Sequence, residues 1–319
     1  MALNTILIPK ILARTRNATS PKAQALVTAH PALDLHVIEG NTQDPDPIFA
    51  AHPDIDAVFA YTVPPDERPQ AIPLIDAAER AGVKRFVFSS VDRGGDERSW
   101  DDPTPVPHFA EKYHIEAYLH LVCEGGSGWD DVAAGGSGGE MRKKNDRRMA
   151  YTILRLVAFM ENLNPTSFFG AVFASLWATM PADTPLQLIS LRDVGLFAAE
   201  ALLAPTSPSS PSSPSPWEGR FANRAIGLAG DSRTLAEARA VYARVAGDGS
   251  QLPQAWWIVG RGMRWAMRDV GRMFDWFETV GYGIDVAALR GAEPRLQDFE
   301  TWLRESSEFP FSAKVQERA

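Results

Sequence analysis

The chain has 319 residues, 45% hydrophobic and 23% charged, which is the balance of a globular protein able to bury a substantial core. A net charge of −8 excludes a general nucleic-acid binder, which needs a basic footprint. The single cysteine, Cys123, excludes an internal disulfide framework and fits a reducing compartment.

From the amino end, the apolar run at 5–12 is short, is interrupted by Pro9 and Lys10 and lacks a small-residue cleavage site. It makes a poor signal peptide, and no run approaches the roughly 20 apolar residues of a spanning helix. The expected address is the cytoplasm, with the nucleus second, and no membrane partner is expected. Residues 11–15 (ILART) read as a strand and 21–30 as a helix after a Ser-Pro start. A strand at 33–41 closes on Gly40-Asn41, a short helix covers 45–52, and a strand at 56–65 ends in Pro64-Pro65. An amphipathic helix over 68–82 stops at glycine, and strands follow at 83–91 and 150–159. Strand–helix alternation at this spacing predicts an α/β fold, a parallel sheet with helices on both faces. Residues 123–148 are rich in glycine and charge, 205–219 form a Pro/Ser tract, and both predict flexible loops. The rest is mainly helical, and its many tryptophans are read as the packing of a helical cap.

These pieces, in this order, resemble the NmrA-like family of atypical short-chain dehydrogenases. The matching stretches are ARTRNATSPKAQAL, VIEGNTQD, DAVFAYTVPP, AGVKRFVFSSV, PHFAEKYHIEAYL, YTILRLVAFMENL, SLRDVGLFAAEAL, RAIGLAGDSRTLAEA and the closing MFDWFETVGYGID. The resemblance implies a Rossmann-type doubly wound parallel sheet, here truncated at its amino end, with a smaller, mainly helical C-terminal lobe. It divides the chain into a dinucleotide-binding core at 1–163 and a substrate or cap lobe at 164–319, interleaved as one unit. It implies NADP as cofactor, and a small-molecule substrate or a regulatory protein as partner.

Carried over residue by residue, the resemblance puts Arg16 and Asn17 where an arginine neutralises the 2′-phosphate of NADP, with Thr19 and Ser20 as phosphate donors. Asn41 and Thr42 fall beside the adenine, and Thr62, Val63 and Pro64 beside the pyrophosphate and ribose. Ser89 and Ser90 end the strand where the dehydrogenase serine lies. Phe159, Met160, Glu161 and Asn162 form the turn that closes over the nicotinamide. His108 and Lys112 stand one helical turn apart, where typical members carry Tyr-x-x-x-Lys. Lys112 is expected to hold the nicotinamide ribose. His108 replaces the tyrosine acid, as a proton donor near neutral pH or as a capping residue. His114 and His120 extend that spacing without a carboxylate or cysteine cluster, so no metal site is expected.

No glycine precedes Gly40, whereas the family opens with a strand, a glycine-rich turn and a helix whose amides bind the pyrophosphate. The sequence therefore predicts weakened NADP(H) binding and two sheet strands missing a neighbour unless residues 5–8 fill the gap. The leading expectation is an NADP(H)-dependent oxidoreductase acting on a quinone or carbonyl metabolite. The alternative is a non-catalytic NADP(H) sensor that binds a partner protein.

Overall fold

Strand–helix alternation carries straight into the architecture of the computed structural model, which describes residues 9–124, 149–165, 168–204 and 219–311. Strands β1 (Ile11–Thr15) and β2 (Leu35–Glu39) pair in parallel, Ile11 opposite Leu35, with α1 (Pro21–Ala29) connecting them. After α2 (Asp46–Ala51) comes a four-stranded parallel sheet in the order β3 (Ala57–Ala60), β4 (Arg85–Val91), β5 (Ala150–Leu156), β8 (Arg224–Leu228). A small third sheet joins β6 (Ala158–Phe159), β7 (Leu186–Ile189) and β9 (Asp231–Arg233), with β9 antiparallel.

The α/β class is as expected, but the sheet is interrupted. Among the described residues β1 pairs only with β2 and β3 only with β4. Among the described residues each keeps one edge without a strand partner; residues 5–8 lie outside the described set. The apolar run expected as one strand at 150–159 is split. Leu156 ends its pairing with β8, and Ala158 and Phe159 pair with β7 instead.

Alternation along β4 explains the two-sided packing. Phe86 and Phe88 enter a core under α3 (Glu67–Ala81) and α5 (Pro107–Glu124), together with Ile75, Ile115 and Leu119. Val87 points the other way, into a core with Leu154, Leu228 and Phe197 of α7 (Leu191–Leu203). α5 runs through Cys123 to Glu124, so the first two residues of the expected flexible insert are helical. The remainder of it, and 205–218, lie outside the described residues.

The C-terminal lobe corrects the reading of the tryptophans. Trp177, Trp276 and Trp302 are buried in the largest core. Trp256, Trp257 and Trp265 are exposed at 82%, 64% and 88%. Their face belongs to α9 (Trp257–Ala266), which packs on α6 (Phe168–Trp177) and leads into α10 (Arg268–Thr279).

Candidate functional site

The expected contacts gather at the carboxyl ends of parallel strands, the edge where open α/β sheets bind ligands. Lys112 is the best-defined of them. Its ammonium, on α5, lies 2.8 Å from Glu67 Oε2 and donates to Thr62 Oγ1 at 2.6 Å. Weaker contacts at 3.4 Å reach the Thr62 and Ser89 carbonyls, and the Phe88 ring lies beneath at 5.2 Å. Thr62 in turn donates to Glu67 Oε2 at 2.5 Å. All three ammonium hydrogens thus have protein acceptors.

The turn that presents Thr62 is clamped by Gln70, whose side chain accepts from the Val63 amide at 3.1 Å and donates to the carbonyls of Val63 and Asp66. Val63 itself remains exposed. Burial pushes the Lys112 ammonium below the usual lysine range, and the Glu67 carboxylate pulls it partly back. Glu67 is fully buried, and its second oxygen, Oε1, has no hydrogen-bond partner among the described residues.

Sequence reasoning missed Glu67. As an acid in the first turn of a helix it passes for ordinary dipole complementation, and only the fold brings it to Lys112. Its one signal was position, just past the Pro64-Pro65 turn that already carried candidate contacts.

His108 lies one turn before Lys112 on α5, half-buried, with its ring edge-on to Phe109 at 4.7 Å. Burial lowers its pKa, against the opposing pull of Glu67 and Asp269, so the ring is neutral at pH 7. Among the described residues its ring makes no hydrogen bond. The same helical stripe continues to Glu116, fully buried between two arginines. Glu116 Oε2 lies 2.8 Å from Arg93 and 2.9 Å from Arg155, and the Trp100 ring lies 4.3 Å from the Arg155 guanidinium. Ser90 donates to Glu116, which makes it part of this structural cluster.

At the other end, Arg16 follows β1 and is exposed, with no hydrogen bond or ion pair among the described residues. Asn17 Oδ1 accepts from the Thr19 amide and hydroxyl at 2.9 and 2.8 Å, and Ser20 caps α1. Glu39 holds the Ala18 amide at 2.9 Å. Asn41 accepts from the Gln43 amide at 3.0 Å, and Thr42 stands half-exposed beside it. Gly40 packs closely under Ile48: a Cβ there would lie 2.4 Å from Ile48 Cδ1, so the isoleucine side chain would have to shift.

The turn at 159–162 divides. Met160 is buried in the core, and Glu161 accepts from the Leu191 amide and from Trp302 Nε1, so both are engaged in packing. Phe159 and Asn162 are only partly buried. No group of metal-ligating side chains forms among the described residues.

Two groups of these residues could hold the two ends of a dinucleotide. Arg16 is an uncommitted cation for a phosphate ester, and Thr62, Ser89 and Lys112 are polar groups at the far strand ends. The centre is different: among the described residues no glycine-rich strand-to-helix turn stands between β1 and β3 to hold a pyrophosphate.

Comparison with known proteins agrees with this arrangement. Residues 9–123 match the NmrA-like family. Over that span the chain is similar to the NmrA-like family. No curated protein matches the sequence. Among solved structures, an NADPH-dependent quinone oxidoreductase from Escherichia coli, complexed with NADPH, aligns at 18% identity and a TM-score of 0.57, covering 93% of this chain and 90% of that one. The negative transcriptional regulator NmrA in complex with NAD aligns at 16% identity and TM-score 0.57, covering 96% and 89%. A Citrobacter sp. triphenylmethane reductase aligns at 13% and 0.61, covering 96% and 93%. At these identities the likeness shows the Rossmann-like fold and no more.

Proposed function

We propose that this chain is an NADP(H)-dependent reductase of a small quinone-type acceptor. The observation that supports it best is the Lys112–Thr62–Glu67 triad at the carboxyl ends of β3 and β4, with the neutral His108 one turn away. The cofactor, when bound, supplies the hydride. Arg16 would hold its 2′-phosphate, Thr62 and Ser89 would border its ribose, and Lys112 would meet the ribose hydroxyls by sharing the hydrogens now given to Thr62. The quinone oxidoreductase and the triphenylmethane reductase among the structural neighbours support a reductase reading.

The choice of quinone over simple carbonyl rests on acid strength. Reducing a ketone leaves a strongly basic alkoxide that needs a proton from a good acid. A reduced quinone is a stabilised aryloxide, about as basic as tyrosinate, pKa about 10. Solvent at neutral pH can protonate it, so no side-chain acid is required where the tyrosine is absent.

A second reading, an NADP(H) sensor acting through a partner protein, is favoured by one observation. Glu67 and Thr62 already saturate Lys112, so a ligand must rearrange a buried pair to use it. The NmrA regulator among the neighbours supports that reading.

Titration with NADPH, followed by turnover on a panel of quinones and carbonyls, separates the two. NADPH oxidation with quinones but not with simple ketones is expected. NADPH binding with no turnover on any acceptor would replace the reductase by the sensor, and absence of binding would remove both.

A further inference from the structure

Apolar side chains cluster on the outside of the C-terminal lobe in a way the dinucleotide site does not use. On α9 the exposed positions are Trp257, Ile258, Arg261, Gly262, Trp265 and Ala266, a repeating i, i+1, i+4 pattern that marks one face of a helix. That face is held rigidly, because the opposite one is locked to α6. A Cβ on Gly260 would lie 2.3 Å from the Ser175 carbonyl, the Ala255 amide donates to the Ala171 carbonyl at 3.0 Å, and Ser175 Oγ donates to the Ala255 carbonyl at 2.6 Å. Phe168 and Phe169, also exposed, sit one turn before Ala171, and Trp256 immediately precedes α9. Trp256 and Trp265 keep over four-fifths of their surface in solvent. They protrude.

Of the charges on the same stretch that form no ion pair among the described residues, three are arginines and one is a carboxylate. Arg261, Arg268 and Arg272 are exposed and form no ion pair among the described residues; Arg261 lies only over the Trp257 ring at 6.0 Å. Arg264 is committed to Asp275 and Glu278, at 2.5 and 2.6 Å. Asp269 is the one carboxylate of the stretch left over, on a chain of net charge −8.

We infer that this face is a docking surface for an anionic lipid bilayer, on which the chain lies without crossing it. Tryptophan combines an apolar body with one N–H donor, which suits the boundary between headgroups and hydrocarbon. Arginine can bury its stem there while its guanidinium meets lipid phosphates. A second copy of the chain is the poorer occupant, because a two-fold contact would bring the three uncommitted arginines against their own counterparts. The sequence expectation of no membrane partner rested on the absence of a spanning segment. Among the described residues no helix is long and apolar enough to cross a membrane, and a face lying on the surface needs none. This inference is independent of the dinucleotide reading.

The test mixes the full chain with unilamellar vesicles of phosphatidylcholine and phosphatidylserine in equal parts, and with phosphatidylcholine alone. It reads cosedimentation and tryptophan emission. Partition to the anionic vesicles with a blue shift is expected. Trp256→Gln with Trp265→Gln, at exposed positions that leave folding intact, should weaken partition on the order of tenfold or more. Changing Arg261, Arg268 and Arg272 to glutamine should cost about fivefold for each arginine, on the anionic vesicles only. Failure of the native chain to partition at low ionic strength would overturn the inference, as would unchanged partition of the tryptophan variant. A dimer in sedimentation velocity that the tryptophan variant abolishes would assign the face to a second copy and overturn it too.

Discussion

Replacing Glu67 by glutamine removes the one counter-charge of a nearly buried lysine while keeping an oxygen for Thr62. The Lys112 side chain is 13% exposed and that of Glu67 not at all, with 2.8 Å between ammonium and carboxylate. Breaking a buried pair by removing one partner costs about 3–5 kcal/mol. Because Thr62 Oγ1 at 2.6 Å and two carbonyls at 3.4 Å still accept from the ammonium, the low end applies, about 3 kcal/mol. At roughly 2–4 °C per kcal/mol for a chain of this size, melting should fall by about 6–12 °C near neutral pH. The pH dependence carries the sharper test. A lysine whose folded pKa lies below its unfolded value binds fewer protons when folded, so stability rises with pH between those two values. Burial already lowers the Lys112 value, and losing Glu67 lowers it further, so the rise begins at lower pH in the variant. The melting deficit of Glu67→Gln should therefore narrow as pH climbs from neutrality towards the ordinary lysine value of about 10.4. Circular-dichroism melting of both proteins over that range gives the difference directly. A deficit that stays constant or widens would refute the view that Glu67 acts by supporting the charge of Lys112.

Arg16→Ala should weaken NADPH binding roughly tenfold or more and leave NADH nearly unchanged, since a charge-assisted contact is worth about 1.5–3 kcal/mol; calorimetric titration with both cofactors decides. His108 is neutral at pH 7, so any acid catalysis on a carbonyl acceptor should rise as pH falls below the ordinary histidine value of about 6.5 and vanish in His108→Phe. A flat pH–rate profile would remove it as an acid. Glu116→Gln strands Arg93 and Arg155, both fully buried, and should destabilise by about 4 kcal/mol or more, read as a lowered denaturant midpoint.

Much of the fold is legible in the sequence because it is local. The strands at 11–15 and 85–91 and the helices at 21–29 and 67–81 follow from apolar period, β-branched content and glycine or proline stops. What escaped is long-range. The apolar run at 150–159 gives no hint that Val157 separates two sheets. In the candidate site, the helical spacing of His108 and Lys112 was readable, and so was the basic turn at Arg16. Glu67 was not, because it meets Lys112 across more than forty residues of sequence. The three exposed tryptophans were misjudged since composition alone cannot tell a buried aromatic from a protruding one. Residue type is not burial.

The interrupted sheet bears on how binding energy is distributed. The β1–β2 pair is flanked by α1, which buries no residue, and is fastened towards the rest through contacts such as Lys10–Asp54 and Arg80–Asp46, whose partners are largely exposed. Such surface pairs contribute about 0–1 kcal/mol each. This corner therefore opens locally at far lower free energy than the four-stranded sheet, and its amides should be the first of the core strands to exchange with solvent. A ligand reaching from Arg16 to Lys112 would act as the missing fastener. Part of its intrinsic affinity would go into closing that corner, lowering the apparent affinity by the fraction of time the corner is shut. Its binding would then carry a larger negative heat-capacity change than its own contact surface accounts for.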